Sequence, residues 1–377
     1  MVLKKKYTVL QVLPDLNSGG VERGTLEVNK YLANLGHRSI VISNGGRMAN
    51  KIEQDKGEHY KLPIGVKNIH IIFAFFKLIK FIKKNKIDIV HARSRLPAWV
   101  CYFVLKLIHK DRRPVFVTTI HGHYSKNFYS SIMTRGDKVI VVSDTIREYA
   151  LKNYKVDYKK LVLNYRGVSK KDYFFEYKAP KRWLKKWYEE YPITENKKIF
   201  SLPARITGWK GQDTFLLLIK RVMKNYPNIH GLIIGDTSKK TRYTKSLRKK
   251  IFELGLEKNV SIIGHIKDIR EVMSISTIVF SLSSPPEAFG RVSLESLSLG
   301  VPVIGYSHGG VKEQLQKLQP SGLVGIGNIN HMEKLSYEWL KQPPKIARNN
   351  FFTLDKMLRN NLNIYKNIIQ EKKEQIV

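Results

Sequence analysis

The chain has 377 residues, more than one hydrophobic core usually serves, so two domains are the first expectation. Lys and Arg number 67 against 31 Asp and Glu, a net charge of +36, which would draw phosphorylated small molecules, anionic membranes or nucleic acid. A single cysteine, Cys101, excludes an intramolecular disulfide and fits a reducing compartment, and no arginine-rich tail, zinc spacing or RNA-binding fingerprint supports nucleic acid as the partner.

The same charge also fits a chain rich in Lys, Asn and Ile throughout, so charge alone does not choose a partner. Lys4-Lys5-Lys6 precedes only Tyr7 to Leu13 before Pro14, too short for a secretory apolar segment. No stretch reaches the roughly 20 apolar residues of a membrane span. The expectation is a cytoplasmic protein, soluble or peripheral on the inner face of the cytoplasmic membrane.

Taken in chain order, Tyr7–Leu13 reads as a buried strand, Asn17-Ser18-Gly19-Gly20-Val21-Glu22 as a glycine turn, and Leu26, Tyr31, Leu32 and Leu35 as the apolar stripe of a helix closed by Gly36. With the strand Ser39–Ile42 this makes a strand–helix–strand unit whose glycines let backbone N–H groups approach a phosphate, although a full G-x-G-x-x-G is missing. Residues 73–86 form a basic amphipathic helix, which fits either packing against a sheet or lying on an anionic interface. Strands at 87–91, 114–120, 138–142 and 161–164 and helices at 100–109 and 145–151 complete this half, with Ser143-Asp144 capping the second helix. His121, in His121-Gly122-His123 at the carboxyl end of one strand, is placed to meet a ligand, to orient one, or to satisfy the loop.

Residues 169–196, with Trp183, Trp187, Tyr188 and Tyr191, break the alternation and read as a junction. Alternation resumes with strands at 199–203, 229–234, 260–263 and 277–282 and helices reaching Met223, over 247–254 and over 269–273. The stretch Ser283–Glu295 then runs from a strand end through Pro285 and Pro286 into a helix, with Glu287 in the turn and Glu295 about two turns inside. A helix start takes an anion and carboxylates accept hydroxyl hydrogen bonds, so this stretch predicts a cradle for a phosphorylated, polyhydroxylated ligand. Residues 353–371 read as a closing helix. Repeated strand–helix units in both halves predict an α/β protein of two doubly wound, Rossmann-like domains facing each other across a cleft. The boundaries expected are 1–168, a junction at 169–196, 197–350, and a helix at 351–377 able to pack across domains.

These residues together resemble the retaining nucleotide-sugar glycosyltransferases of family four, glycosyl transferases group one, which share the GT-B fold. The resemblance spans nearly the whole chain and rests on Gly19-Gly20-Val21-Glu22, Thr119-Ile120-His121-Gly122, Asn164 with Gly167-Val168, Arg205 with Lys210-Gly211, and Pro286-Glu287-Ala288-Phe289-Gly290 leading to Glu295 and Gly300-Val301-Pro302-Val303. It implies that Arg205 and Lys210 meet the donor diphosphate, that Glu287 holds the transferred sugar, that Glu295 holds the ribose, and that N–H groups around Phe289, Gly290 and Arg291 add phosphate contacts. It implies further that His121 faces the donor sugar and that the Gly19-Gly20 loop lies near the diphosphate. Ser169 stands where many relatives carry aspartate, and Ala204 where glycine is common.

No Asp-x-Asp occurs in the chain, so the expectation is no metal site and no obligatory cofactor, with a nucleotide-diphosphate sugar as co-substrate. The basic stretch 91–99 resembles a bacterial subgroup tied to lipopolysaccharide-type glycan assembly, which makes Arg93 and Arg95 candidates for an anionic acceptor. The function expected is retaining transfer of a sugar to a lipid-linked or lipopolysaccharide-core acceptor. Beside it stand the same fold with a soluble acceptor or acting as an epimerase or phosphorylase, and a basic nucleic-acid binder.

Overall fold

The computed structural model describes residues 5–17, 19–67, 69–238 and 241–374; Lys4 of the basic start and Ser18 of the glycine turn lie outside them. The chain divides into two compact units, residues 1–166 with 355–377, and residues 167–354.

The first unit runs β1 (Thr8–Val12), α1 (Gly20–Asn34), β2 (Arg38–Ser43), α2 (Asn50–Gln54), β3 (Glu58–Lys61), α3 (His70–Asn85), β4 (Ile89–Ala92), α4 (Arg95–Lys106), β5 (Val115–Ile120), α5 (Phe128–Ser131), β6 (Lys138–Val141), α6 (Asp144–Asn153) and β7 (Leu161–Leu163). Among the described residues its strands form one parallel sheet in the order β3-β2-β1-β4-β5-β6-β7. Val9, Leu10, Ile89, Val90, Val117 and Val139 are fully buried, as expected where helices cover both faces of a parallel sheet. The Ser143 hydroxyl accepts from the Ile146 N–H at 3.2 Å and caps α6 as its sequence predicts.

The second unit runs α7 (Lys181–Glu190), β8 (Lys198–Pro203), α8 (Gln212–Val222), β9 (Ile229–Ile234), α9 (Arg242–Glu253), β10 (Val260–Ile263), α10 (Ile269–Ser274), β11 (Ser276–Ser281), α11 (Arg291–Leu299), β12 (Val303–Tyr306), α12 (Gly309–Leu318), β13 (Leu323–Val324) and α13 (Ile329–Lys341). Its parallel sheet has the order β10-β9-β8-β11-β12-β13. In each unit the winding reverses once, between β1 and β4 and between β8 and β11. At such a reversal the loops diverge and leave a crevice beyond the strands' carboxyl ends.

Two regions differ from the sequence expectation, the stretch 169–196 and the edge strand β3, and the closing helix is assigned to one unit. The stretch 169–196 is part of the second unit: α7 lies in it, and Trp187 is buried against Ile199, Leu232 and Ile234. Trp183 stacks on Trp187 at 5.1 Å and the Trp187 indole N–H donates to Thr194 Oγ1 at 2.9 Å, so the aromatic residues at four-residue spacing are a helix's core face. The closing helix α14 (Leu354–Glu374) belongs almost wholly to the first unit, where Tyr365 is fully buried and its hydroxyl meets His91 Nδ1 at 2.6 Å. The edge strand β3, Glu-His-Tyr-Lys, carries no apolar alternation and escaped the sequence reading.

Helix α3 has two apolar faces. Ala74, Leu78 and Ile82 are buried, while Ile72, Phe73 and Phe76, with Ile69 just before the helix, are exposed. At 100° per residue the two sets lie on opposite sides. Lys77, Lys80, Lys83 and Lys84 stand exposed on the same helix. Among the described residues no helix is long and apolar enough to cross a membrane.

Candidate functional site

The two strands that flank the winding reversal of the second unit, β8 and β11, each deliver a loop carrying a charged residue of the predicted site. After β8 the backbone runs through Arg205 and Thr207 to Lys210, and the Lys210 N–H donates to the Thr207 carbonyl at 3.0 Å. Gly211 then turns the chain into α8 at φ +82°, and a Cβ there would overlap the Leu282 carbonyl oxygen. Glycine is required on both counts. After β11, the Ser284 N–H donates to the Trp209 carbonyl at 2.9 Å, which ties the second loop to the first.

Lys210 Nζ donates to Glu287 Oε1 and forms an ion pair with it. Two cations lie over the Trp209 ring, with Arg205 Cζ 5.2 Å and Lys210 Nζ 4.8 Å from its centroid. Gln212 Nε2 holds the Arg205 carbonyl at 2.9 Å. The Thr207 hydroxyl, which the sequence reading passed over, is buried without a hydrogen-bond partner among the described residues.

The turn that carries Glu287 is pinned by two glycines of the His308–Gly310 segment. The Gly310 N–H donates to the Glu287 carbonyl at 2.8 Å, and a Cβ on Gly310 would overlap the Phe289 backbone. Phe289 is buried against Phe352, with centroids 5.9 Å apart. Gly290 leads into α11 at φ +85° with no side-chain cap on the helix's N–H groups. Gln314 Nε2 bonds the carbonyls of Phe289 and Gly290 at 2.5 and 3.0 Å, and Ser293 Oγ donates to Gln314 Oε1 at 2.7 Å. This fixes the approach to the helix start, where N–H groups and the dipole favour an anion. Glu295 is the fifth residue of α11, one turn inside rather than two; it is 4% exposed and pairs with Arg291 at 3.3 Å. Arg205, Lys210, Glu287, Phe289, Gly290, Arg291 and Glu295 therefore all lie on the two loops at this reversal and on the first turns of α11.

The remaining predicted residues lie in the first unit. Gly19 has φ +144° and precedes α1, which Gly20 opens; the Glu22 carboxylate lies where a Gly19 side chain would sit, and its burial raises its pKa above the ordinary carboxylate value. His121 follows β5, and its Nδ1 is 2.9 Å from Arg166 Nη2. Its other nitrogen, Nε2, is buried without a hydrogen-bond partner among the described residues. Burial, then the positive charges of Arg166 and Arg93 and the neighbouring His91, hold the His121 imidazole well below histidine's usual range.

Arg93 departs from the expectation of an acceptor contact. It is 2% exposed and its Nε donates to Gln11 Oε1 at 2.8 Å, so its side chain turns from the loop after β4 into the interior of the unit. Arg95 is engaged too, with Nη1 3.2 Å from Ser130 Oγ and the guanidinium over the rings of Tyr124 and Tyr129. Arg166 was not singled out by sequence; the available signal was a cation inside the turn from Asn164 to Gly167. Among the described residues no group of three or more His, Cys, Asp or Glu side chains is placed to hold a metal ion.

Comparison with known proteins points to one family and one fold. The model of Glycosyltransferase Family 4 matches residues 18–171, and that of Glycosyl transferases group 1 matches residues 185–351. A crystal structure of a glycosyltransferase from Rickettsia africae ESF-5 is similar at 35% identity and TM-score 0.84, over 97% of this chain and 99% of that one. The N-acetyl-alpha-D-glucosaminyl L-malate synthase of Bacillus anthracis is 24% identical over 346 residues, 87% of this chain and 86% of its own. Anabaena Alr3699/HepE, crystallised with UDP-glucose, shares the fold at TM-score 0.75 and 19% identity, over 98% of this chain and 99% of its own.

Proposed function

The chain belongs to the glycosyltransferases of family 4 and group 1, with the GT-B fold, and on that premise we propose that it carries a sugar from a nucleotide-diphosphate donor to a lipid-linked or lipopolysaccharide-type acceptor, with the anomeric configuration retained and no metal ion required. The observation that carries this reading is the Lys210–Glu287 pair at the carboxyl ends of β8 and β11, with Arg205 stacked beside it on Trp209. A cation paired to an acid at that point provides for both ends of the bond that breaks.

In the transfer, the bond between the anomeric carbon and the diphosphate oxygen breaks, and a bond from an acceptor hydroxyl oxygen forms. The acceptor's proton passes to the departing phosphate. Negative charge grows on that phosphate, where Lys210 and Arg205 stabilise it, and their fixed positions make them worth more in the transition state than in the bound donor. Glu287 accepts hydrogen bonds from the sugar hydroxyls and Glu295 from the ribose, while N–H groups around Phe289, Gly290 and Arg291 donate to phosphate oxygens. Gly19-Gly20 and His121 serve the diphosphate and the transferred sugar.

The acceptor side of the reading rests on α3. Exposed Ile72, Phe73 and Phe76 beside exposed lysines have the composition of a helix that lies in an anionic bilayer surface, and a peripheral enzyme on the inner face of the cytoplasmic membrane would meet a lipid-linked acceptor there.

The test is release of nucleotide diphosphate from UDP-, GDP- and ADP-sugars, with and without lipid-linked oligosaccharide. Release that needs the acceptor supports transfer. Release or rearrangement of the donor sugar without any acceptor would replace transfer by hydrolysis or epimerisation.

A further inference from the structure

His121 carries a consequence of the hydrogen bond it makes. A guanidinium has five N–H donors and no acceptor, so the nitrogen it bonds must carry the lone pair. Arg166 Nη2 approaches Nδ1 at 2.9 Å, which leaves the ring proton of a neutral imidazole on Nε2. Nε2 is also the buried nitrogen with no partner among the described residues.

Arg166 is held for this contact by two other elements. Gly24 of α1 is buried, and a Cβ at that position would overlap Arg166 Nη1, so the glycine makes room for the guanidinium. Arg166 Nη1 also lies 3.8 Å from Met357 Sδ on α14, and Asn164 Nδ2 donates to the Met357 carbonyl at 3.1 Å, which fixes the turn from which Arg166 projects. The groups facing the ring are Arg166 from the segment after β7, His91 of β4 with Arg93 just after it, and Tyr124, whose hydroxyl accepts the His121 N–H at 3.3 Å. Among the described residues no carboxylate stands in that set to favour an imidazolium.

We propose that Arg166 is a positioning residue that locks His121 as the neutral Nε2–H tautomer, so that His121 acts on its ligand as a hydrogen-bond donor and not as a proton-transfer base. The inference rests on the reading of His121 as a residue of the sugar site for its functional half, and on geometry alone for the tautomer. A donor at Nε2 suits a sugar hydroxyl or ring oxygen, which accept.

The test is a long-range proton–nitrogen correlation spectrum of the full chain labelled at histidine, with the His121 signal identified by its loss in His121→Gln. The expected wild-type signal is protonated at Nε2 and unprotonated at Nδ1 from pH 8 to pH 6. Arg166→Met is expected to give a mixture of tautomers and a ring that takes up a proton on mild acidification, and Arg166→Lys, which can still donate to Nδ1, to restore the wild-type pattern. A wild-type ring protonated at Nδ1, or a signal unmoved in Arg166→Met, overturns the lock. In the kinetic arm kcat falls about tenfold in Arg166→Met, the scale of one lost hydrogen bond, and returns in Arg166→Lys. Should the spectra come out as expected while transfer ignores both Arg166→Met and His121→Gln, the lock stands and the sugar-side role of His121 is refuted.

Discussion

Lys210 and Glu287 are 77 residues apart in sequence, yet the ammonium of one donates directly to the carboxylate of the other. Each residue follows a strand at the reversal of winding in the second sheet, between β8 and β11, so the fold itself brings them together. Both side chains are largely buried, at 13% and 24% exposure, which keeps water from screening the pair.

If the pair serves the reaction more than the fold, the two roles separate on mutation. Lys210→Met is expected to lower the transfer rate by roughly 10²–10³. Its thermal midpoint should fall only modestly, since leaving the largely buried Glu287 carboxylate without its partner costs about 1–3 kcal/mol. Calorimetry beside steady-state kinetics checks both; a large loss of stability with normal turnover would make the pair structural.

Gly211→Ala and Gly310→Ala should act through the backbone. Each puts a Cβ into neighbouring backbone, at the Leu282 carbonyl and at Phe289, and position 211 also sits at φ +82°. A strained residue of that kind costs about 1–3 kcal/mol. Urea unfolding should show the loss, and donor affinity should fall with it because the loops move. Unchanged midpoints would mean the loops adapt freely.

Glu295 is read as a binding residue rather than one that touches the reacting bond. Glu295→Gln keeps the shape and loses the charge, so KM for the donor should rise about tenfold or more while kcat stays within a few-fold, the scale of a hydrogen bond to a charged group. A kcat effect as large as that of Glu287→Ala would move Glu295 into the chemistry.

The two faces of α3 give opposite predictions. Leu78→Ala removes a fully buried side chain and should cost about 2–5 kcal/mol. Phe73→Glu with Phe76→Glu, both on the exposed face, should leave the melting temperature unchanged and abolish sedimentation with phosphatidylglycerol vesicles. Wild-type protein that fails to bind such vesicles at low salt would remove the membrane from the account.

Acid should destabilise the fold through its buried histidines. His230 is buried and its pKa is lowered to about 4, chiefly by burial and then by Lys197. In the unfolded chain a histidine titrates near 6.5, so below that value the unfolded state binds the extra proton. The stabilisation is therefore present in full above about pH 6.5 and is lost as pH falls toward 4. His91 and His121 are lowered in the same direction and add to it. His230→Gln should flatten the midpoint-against-pH curve over that window.

The sheets were legible because parallel strands buried on both faces read as short apolar runs, as Ile229–Ile234 does. Edge strands were not: Glu58–Lys61 is polar, and Leu323–Val324 is two residues long. The loops bearing Lys210 and Glu287 could be read from their glycines, prolines and charges, but the pairing of the two residues needed the strand order. Arg93 misled because a basic loop reads as surface, whereas its guanidinium is buried against Gln11. Arg166 escaped because its meaning lies in Gly24 and His121, 142 and 45 positions away.

The most direct test of the central claim is acceptor-dependent release of nucleotide diphosphate by Glu287→Ala, with circular dichroism matching the wild type. The account predicts a fall of roughly 10²–10³ in turnover, with the nucleotide diphosphate itself still bound through the cations and the α11 start. Wild-type turnover in Glu287→Ala would contradict it.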